Sequence, residues 1–127
     1  MNAFRLRRQD PLEQDIQSAI LQWLKYHPRV AWAARFNSGS ALLTGKGGHN
    51  RPVVFNTLAG CPDILGQLDD GRLLAVEVKR PSWIKPSNER ERKQAEFLDL
   101  AARHGAVALF ARRIEDVAAA IAEAFNG

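Results

Sequence analysis

Residues 60–79 read GCPDILGQLDDGRLLAVEVK, two apolar runs on either side of the turn signal Asp69-Asp70-Gly71. A three-residue loop that ends in glycine is a favoured hairpin connection, because its third residue adopts the left-handed conformation that glycine tolerates. The stretch therefore predicts a β-hairpin in which Leu68 pairs with Arg72. Both faces of this hairpin are apolar, so we expect other elements to cover it on both sides.

The same register brings two acids together at the open end of the hairpin. Counting outward from the turn sets Asp63 opposite Glu77, and directly opposed residues have β-carbons about 4.5–5.5 Å apart. Two carboxylates at that distance repel each other unless one is protonated or a cation lies between them. Lys79 shares the face of Glu77, roughly 7 Å along the strand. The pattern predicts a divalent-metal site with a lysine beside it. The alternative is that these charges merely mark strand ends in solvent, with Glu77 and Lys79 as a surface ion pair.

Such a site has the parts that phosphodiester hydrolysis requires. Mg²⁺ prefers hard oxygen ligands and is often held by one or two carboxylates and water. A bound divalent ion lowers the pKa of its water and stabilises charge on a phosphoryl oxygen. The ammonium of Lys79 could orient the attacking water or stabilise the transition state.

The rest of the chain predicts a small α/β domain around the hairpin. We expect a helix capped by Asp10, with Pro11 at its first position, that ends at His27-Pro28. Strands are predicted at 30–36 and 53–55, separated by a polar loop that could hold a turn or hairpin. A helix at 88–104, a strand at 106–111 and a helix at 114–125 complete an α-β-(β)-β-β-α-β-α order. We interpret residues 1–127 as one layered domain, with a flexible basic arm at 1–9.

The composition of the chain indicates which cell compartment and which kinds of partner to expect. The net charge is +4, from 18 basic and 14 acidic residues, which suits a polyanionic partner such as nucleic acid but does not require one. The single cysteine, Cys61, cannot form an internal disulfide, so we expect a reducing compartment. There is no signal-peptide pattern and no apolar run of the about 20 residues that span a bilayer. We predict a cytoplasmic protein with no membrane association.

Motif residues in order along the chain resemble a known nuclease family. The pair Pro62-Asp63 followed by Glu77-x-Lys79 resembles the core of the PD-(D/E)XK nuclease superfamily. The fuller set resembles the VRR-NUC (virus-type replication-repair nuclease) family within it: Gly60-x-Pro62-Asp63, Val76-Glu77-Val78-Lys79, Gln94 before Phe97-Leu98, Arg35-Phe36-Asn37-Ser38-Gly39, and a first helix with Glu13. The resemblance covers nearly the whole chain, from about Leu12 to the last strand.

The resemblance implies Mg²⁺- or Mn²⁺-dependent cleavage of DNA by a restriction-endonuclease-like domain with an αβββαβ core, a mixed sheet flanked by helices. It implies that Asp63, Glu77 and the carbonyl of Val78 are metal ligands, with Glu13 binding the metal directly or through water. It further implies that Lys79 is the catalytic lysine and that Gln94 positions water or the scissile phosphate. The candidates for contacts to DNA are Arg35, Asn37, Ser38, Lys46, Arg51 and Lys93.

Three residues near the predicted site have competing explanations. Asp10-x-x-Glu13 has the spacing of a capping box, which would explain Glu13 by backbone hydrogen bonding at the helix start. Gln94 lies in a run of charged residues that fits a solvated helix face. Trp83, in the loop after Lys79, fits either stacking on a base or hydrophobic packing.

From these observations we expect a DNA endonuclease. A preference for branched DNA, as in a Holliday-junction resolvase, is implied by the family resemblance, and symmetric binding of a junction would favour a twofold homodimer. The alternatives are another nuclease role (flap cleavage, exonuclease action or non-specific degradation), an inert DNA-binding module of the same fold, and a basic structural protein with no DNA partner.

Overall fold

The computed structural model describes residues 11–36, 40–44, 50–54 and 58–126, with the backbone alone at 40–44 and 50–54. Its helices and strands, in chain order, are α1 (Glu13–Lys25), β1 (Val30–Arg35), β2 (Ser40–Thr44), β3 (Asn50–Val54), β4 (Ile64–Leu68), β5 (Leu73–Val78), α2 (Glu89–Arg103), β6 (Val107–Ala111) and α3 (Ile114–Phe125). Strands β2 and β3 form a hairpin: β2 lies in the loop expected between the first strands, and β3 overlaps the strand predicted at 53–55. The predicted basic arm at 1–9 lies outside the described residues.

A mixed sheet in the order β1-β4-β5-β6 forms the centre of the fold. Strand β4 is antiparallel to β1 and to β5, whereas β6 returns parallel to β5 after α2. The parallel pair requires a crossover, which the helix α2 supplies. The three helices flank this sheet, and the predicted small layered α/β domain with an extra C-terminal helix is confirmed.

The β4–β5 hairpin has the predicted register. Ile64 pairs with Val76, and the N–H of Leu68 donates to the carbonyl of Arg72 at 2.8 Å. Gly71 closes the turn with φ of 95°, in the left-handed region that glycine adopts without a steric cost. The next pair outward from Ile64 and Val76 is the predicted acid pair.

Alternation along β5 separates the face with Leu74, Val76 and Val78 from the face with Ala75 and Glu77. Leu74, Val76 and Val78 are fully buried and belong to a core that α1 and α3 cover with Ile16, Ile20, Leu24, Val117 and Ile121. Successive strand residues point to opposite faces, so Glu77 and the residue after the strand, Lys79, lie on the side that α2 covers. Helix α2 therefore decides the surroundings of the polar residues.

The prediction for the start of α1 was wrong. Leu12 is the N-cap, with extended backbone, and its carbonyl accepts the N–H groups of Asp15 and Ile16. Glu13 is consequently the first helical residue, two positions too early for the acid of a capping box. Asp10 lies outside the described residues, and among those described no side-chain hydrogen bond caps the start of the helix. Leu12 is 52% exposed.

Within the described part of the chain, no helix is long and apolar enough to cross a membrane.

Candidate active site

The acid pair is fixed by hydrogen bonds across the end of the β4–β5 hairpin. The N–H of Asp63 donates to Oε1 of Glu77 at 3.1 Å, and Oδ2 of Asp63 accepts the N–H of Val78 at 2.9 Å. The backbone of Asp63 thus holds the Glu77 carboxyl group, and the backbone next to Glu77 holds the Asp63 carboxyl group. The predicted opposition of the two acids is confirmed by this geometry.

The environment of Glu77 strongly disfavours a second negative charge. Burial, then the charge of Asp63 and a hydrogen bond between the two carboxyl groups, together raise the pKa of Glu77 to about 9. The positive charge of Lys79 opposes this shift only in part. Near neutral pH and without metal, a proton on Glu77 therefore holds the two carboxyl groups together, in the place where a cation would do the same.

This proton predicts a pH-dependent stability of the metal-free protein. Unfolded Glu77 ionises near pH 4.5, whereas folded Glu77 keeps its proton up to about pH 9. Its contribution to the free energy of unfolding is therefore complete below pH 4.5 and is lost as the pH rises to 9. We expect a loss on the order of 6 kcal/mol between pH 4.5 and pH 9, since each pKa unit corresponds to about 1.4 kcal/mol.

Urea unfolding in EDTA at pH 5, 7 and 9 measures this loss, with Glu77→Gln as the control that cannot ionise. The free energy of unfolding should fall more steeply with pH for the wild type than for the variant. Mg²⁺ should stabilise the wild type most at high pH, by binding the folded state. Parallel pH dependences for the two proteins would contradict the raised pKa of Glu77.

Lys79 lies in a cage formed by α2 and two aromatic rings. Its side chain is only 6% exposed, and Nζ donates to Oε1 of Gln94 at 2.9 Å and lies 3.4 Å from Oε2 of Glu91. The same nitrogen lies 5.8 Å from the ring centre of Trp83 and 5.9 Å from that of Phe110. The two rings pack together, as the packing alternative for Trp83 predicts. The alternative of a solvated surface ion pair at the strand end is wrong, because the lysine is buried.

Gln94 faces inward from α2, beside the segment that leads into β4. Its exposed fraction is 5%, so the solvated-face alternative is also wrong. Gly60 approaches the backbone of α2 so closely that a β-carbon there would lie 2.3 Å from the carbonyl oxygen of Lys93. This contact places the residues before Asp63 against the turn of α2 that carries Gln94.

Sequence reasoning missed Glu91, which connects α2 to the loop after β5. Its Oε1 accepts the N–H and the hydroxyl of Ser87 at 3.0 and 3.2 Å, and its Oε2 accepts Nε1 of Trp83 at 3.1 Å. These hydrogen bonds lower the pKa of Glu91, and the bond from the Ser87 N–H has the largest effect. The positive charge of Lys79 lowers the pKa of Glu91 as well. A signal was present: Asn88-x-x-Glu91 has capping-box spacing, and Oδ1 of Asn88 accepts the N–H of Glu91.

Few residues at this site are placed to bind a metal ion. Among the described residues, no group of three or more His, Cys, Asp or Glu side chains could hold a metal ion. Glu13 is exposed in the first turn of α1 and forms no such group with Asp63 and Glu77, so its role as a ligand stays a prediction. Two carboxylates and the carbonyl of Val78 offer only hard oxygen donors, which fit Mg²⁺ or Mn²⁺ with water in the remaining positions.

The candidates for DNA contacts occupy separate places. Arg35 is exposed at the end of β1, and its Nη2 donates to Oγ of Ser18 at 3.2 Å. Lys93 is exposed on α2 and lies 3.9 Å from Oε1 of Glu89. It borders an open cleft of about 330 Å³ that Arg90 and Gln94 also line. The other candidates fall outside the described side chains: Asn37, Ser38, Lys46 and Arg51.

No protein-family model, curated protein or solved structure matches this chain. The likeness to the VRR-NUC family therefore depends on the motif residues quoted above.

Proposed function

We propose that this protein is a metal-dependent endonuclease that hydrolyses phosphodiester bonds in DNA, of the VRR-NUC type. The observation that supports the proposal is the convergence of Asp63, Glu77, Lys79 and Gln94 at one end of the β4–β5 hairpin. Burying a lysine beside a carboxyl pair is costly unless the charges are paired or used. The pKa of Glu77 is strongly raised, and strongly perturbed ionisable groups cluster at functional sites.

The proposed division of labour follows from the contacts of each side chain. Asp63 and Glu77 would hold Mg²⁺ or Mn²⁺, which activates water and neutralises charge on the phosphate. The Lys79 ammonium would donate a hydrogen bond to a phosphate oxygen as negative charge develops. The Gln94 amide accepts from Lys79 through its oxygen, which leaves its NH₂ group to orient water or phosphate.

The cleft beside Gln94 offers a path for the DNA strand. Arg90 and Lys93 line it, and cationic side chains at such places contact phosphates and set the position of the duplex. A net charge of +4 favours the same partner. A preference for branched DNA and a homodimer remain part of the proposal, and both rest on the resemblance to the family.

The test is a cleavage assay on a labelled four-way junction, a flap, a linear duplex and a single strand, each with Mg²⁺, Mn²⁺ or EDTA. We expect metal-dependent cutting, fastest on the junction. Asp63→Asn should abolish it, whereas Asp99→Asn, the same change on the exposed side of α2, should not.

Cutting that survives EDTA would refute the mechanism. Tight binding without cutting would identify an inert module, and equal cutting of every substrate would remove the branch preference. Light scattering that shows only monomer would count against the homodimer.

A further inference from the structure

The two oxygens of the Glu91 carboxylate face different partners. Oε1 accepts both bonds from Ser87, which tie the loop to the first turn of α2. Oε2 faces the interior, where it accepts Nε1 of Trp83 at 3.1 Å and lies 3.4 Å from Nζ of Lys79. A residue that served only to cap the N-terminus of α2 would need only the hydrogen bonds from Ser87.

The direction of the Lys79 ammonium is set by these partners. A lysine ammonium has three N–H donors. Gln94 takes one at 2.9 Å and Glu91 another at 3.4 Å, and the aromatic rings of the cage offer no further oxygen acceptor. Among the described residues, one N–H of Lys79 is thus left for a group that the protein does not supply.

Trp83 makes this arrangement rigid. Its indole ring packs on Phe110 with ring centres 4.7 Å apart, and its carbonyl accepts Nη1 of Arg112 at 2.8 Å. The indole N–H then fixes Oε2 of Glu91 at the side of the cage. An ionised carboxylate that accepts several hydrogen bonds has a well-defined orientation.

We propose that Glu91 is a positioning residue for catalysis: with Trp83, it holds the Lys79 ammonium so that its remaining N–H is directed to the scissile phosphate. The inference rests on the proposed nuclease function, because it assigns a role within the same site. It differs from metal binding, since the Glu91 carboxylate contacts Ser87, Trp83 and Lys79. The group acts through Lys79 and does not contact the substrate.

Glu91→Gln tests this role, with Asp99→Asn as the control that removes the same kind of charge from the exposed side of α2. We expect kcat to fall about tenfold to a hundredfold, the usual effect of losing a group that orients a reacting residue. KM for DNA should change less than threefold, because no substrate contact is lost. Trp83→Phe, which keeps an aromatic ring at this position and removes the indole N–H, should lower kcat by a smaller factor in the same direction.

A second readout does not depend on DNA cleavage. The rate at which an amine-reactive reagent modifies Lys79, followed by mass spectrometry, reports how firmly its ammonium is held. Glu91→Gln should raise this rate at least fivefold, and Asp99→Asn should leave it unchanged. Should Glu91→Gln fail to fold, Trp83→Phe carries the same two measurements.

The outcomes separate the two proposals. A wild type that does not cut DNA overturns the proposed function, and the positioning role with it. An active wild type whose Glu91→Gln variant keeps both kcat and the Lys79 labelling rate overturns the positioning role alone. A fall in kcat with an unchanged labelling rate would also overturn it, because Glu91 would then act without holding the lysine.

Discussion

Replacing Lys79 by methionine should lower the rate of DNA cleavage about a thousandfold, the upper range for the loss of one donor to a transition-state oxygen. Methionine has a similar length and no charge, so it can fill the space beside the packed rings of Trp83 and Phe110. The effect should appear in kcat, with DNA affinity changed only a few-fold. Single-turnover cleavage together with a binding titration would measure both.

The control for this variant must remove a lysine charge elsewhere. Lys25→Met changes an exposed lysine in the last turn of α1, and its cleavage rate should equal that of the wild type. Thermal unfolding of Lys79→Met would establish that the fold persists, since Gln94 and Glu91 lose a partner. A cleavage rate within tenfold of the wild type in a folded Lys79→Met protein would refute the catalytic role of the lysine.

Gly60→Ala should reduce the free energy of unfolding by about 2–5 kcal/mol, the sum of two costs. The residue has φ of 74°, where a side chain is strained by about 1–2 kcal/mol. The new β-carbon would also lie 2.3 Å from the carbonyl oxygen of Lys93, and backbone at that distance must move. Overpacking of this kind costs about 1–3 kcal/mol.

Two other glycines separate these costs. Gly71 and Gly105 both have φ of 95°, but nothing lies within 4 Å of a β-carbon built on them. Gly71→Ala and Gly105→Ala should therefore show the conformational strain alone, about 1–2 kcal/mol in urea unfolding. If Gly60→Ala costs no more than these two, the close approach to α2 does not contribute to stability. Where Gly60→Ala remains folded, cleavage should also decrease, because the displaced turn of α2 carries Gln94.

Local chemistry explains why the hairpin and its acid pair were predictable. The turn Asp69-Asp70-Gly71 admits few connections, and the period of two along each strand then determines every pair up to Asp63 and Glu77. Helix α3 was equally predictable from its apolar spacing. The start of α1 was not predictable in this way, because several neighbouring residues can serve as the N-cap and helix boundaries shift by one or two residues.

The sequence by itself therefore determined the register of the β4–β5 hairpin and the facing of two carboxyl groups, since both follow from backbone conformation between neighbouring residues. Only the tertiary structure decided the surroundings of Lys79. Its partners Glu91 and Gln94 lie 12 and 15 residues away on α2, and the packing of that helix over β5 and β6 brings them together. No periodicity along the chain encodes such a contact, because the contact depends on how the faces of two separate elements meet. That packing buries the lysine, and it turns a pair of facing acids into a candidate nuclease centre.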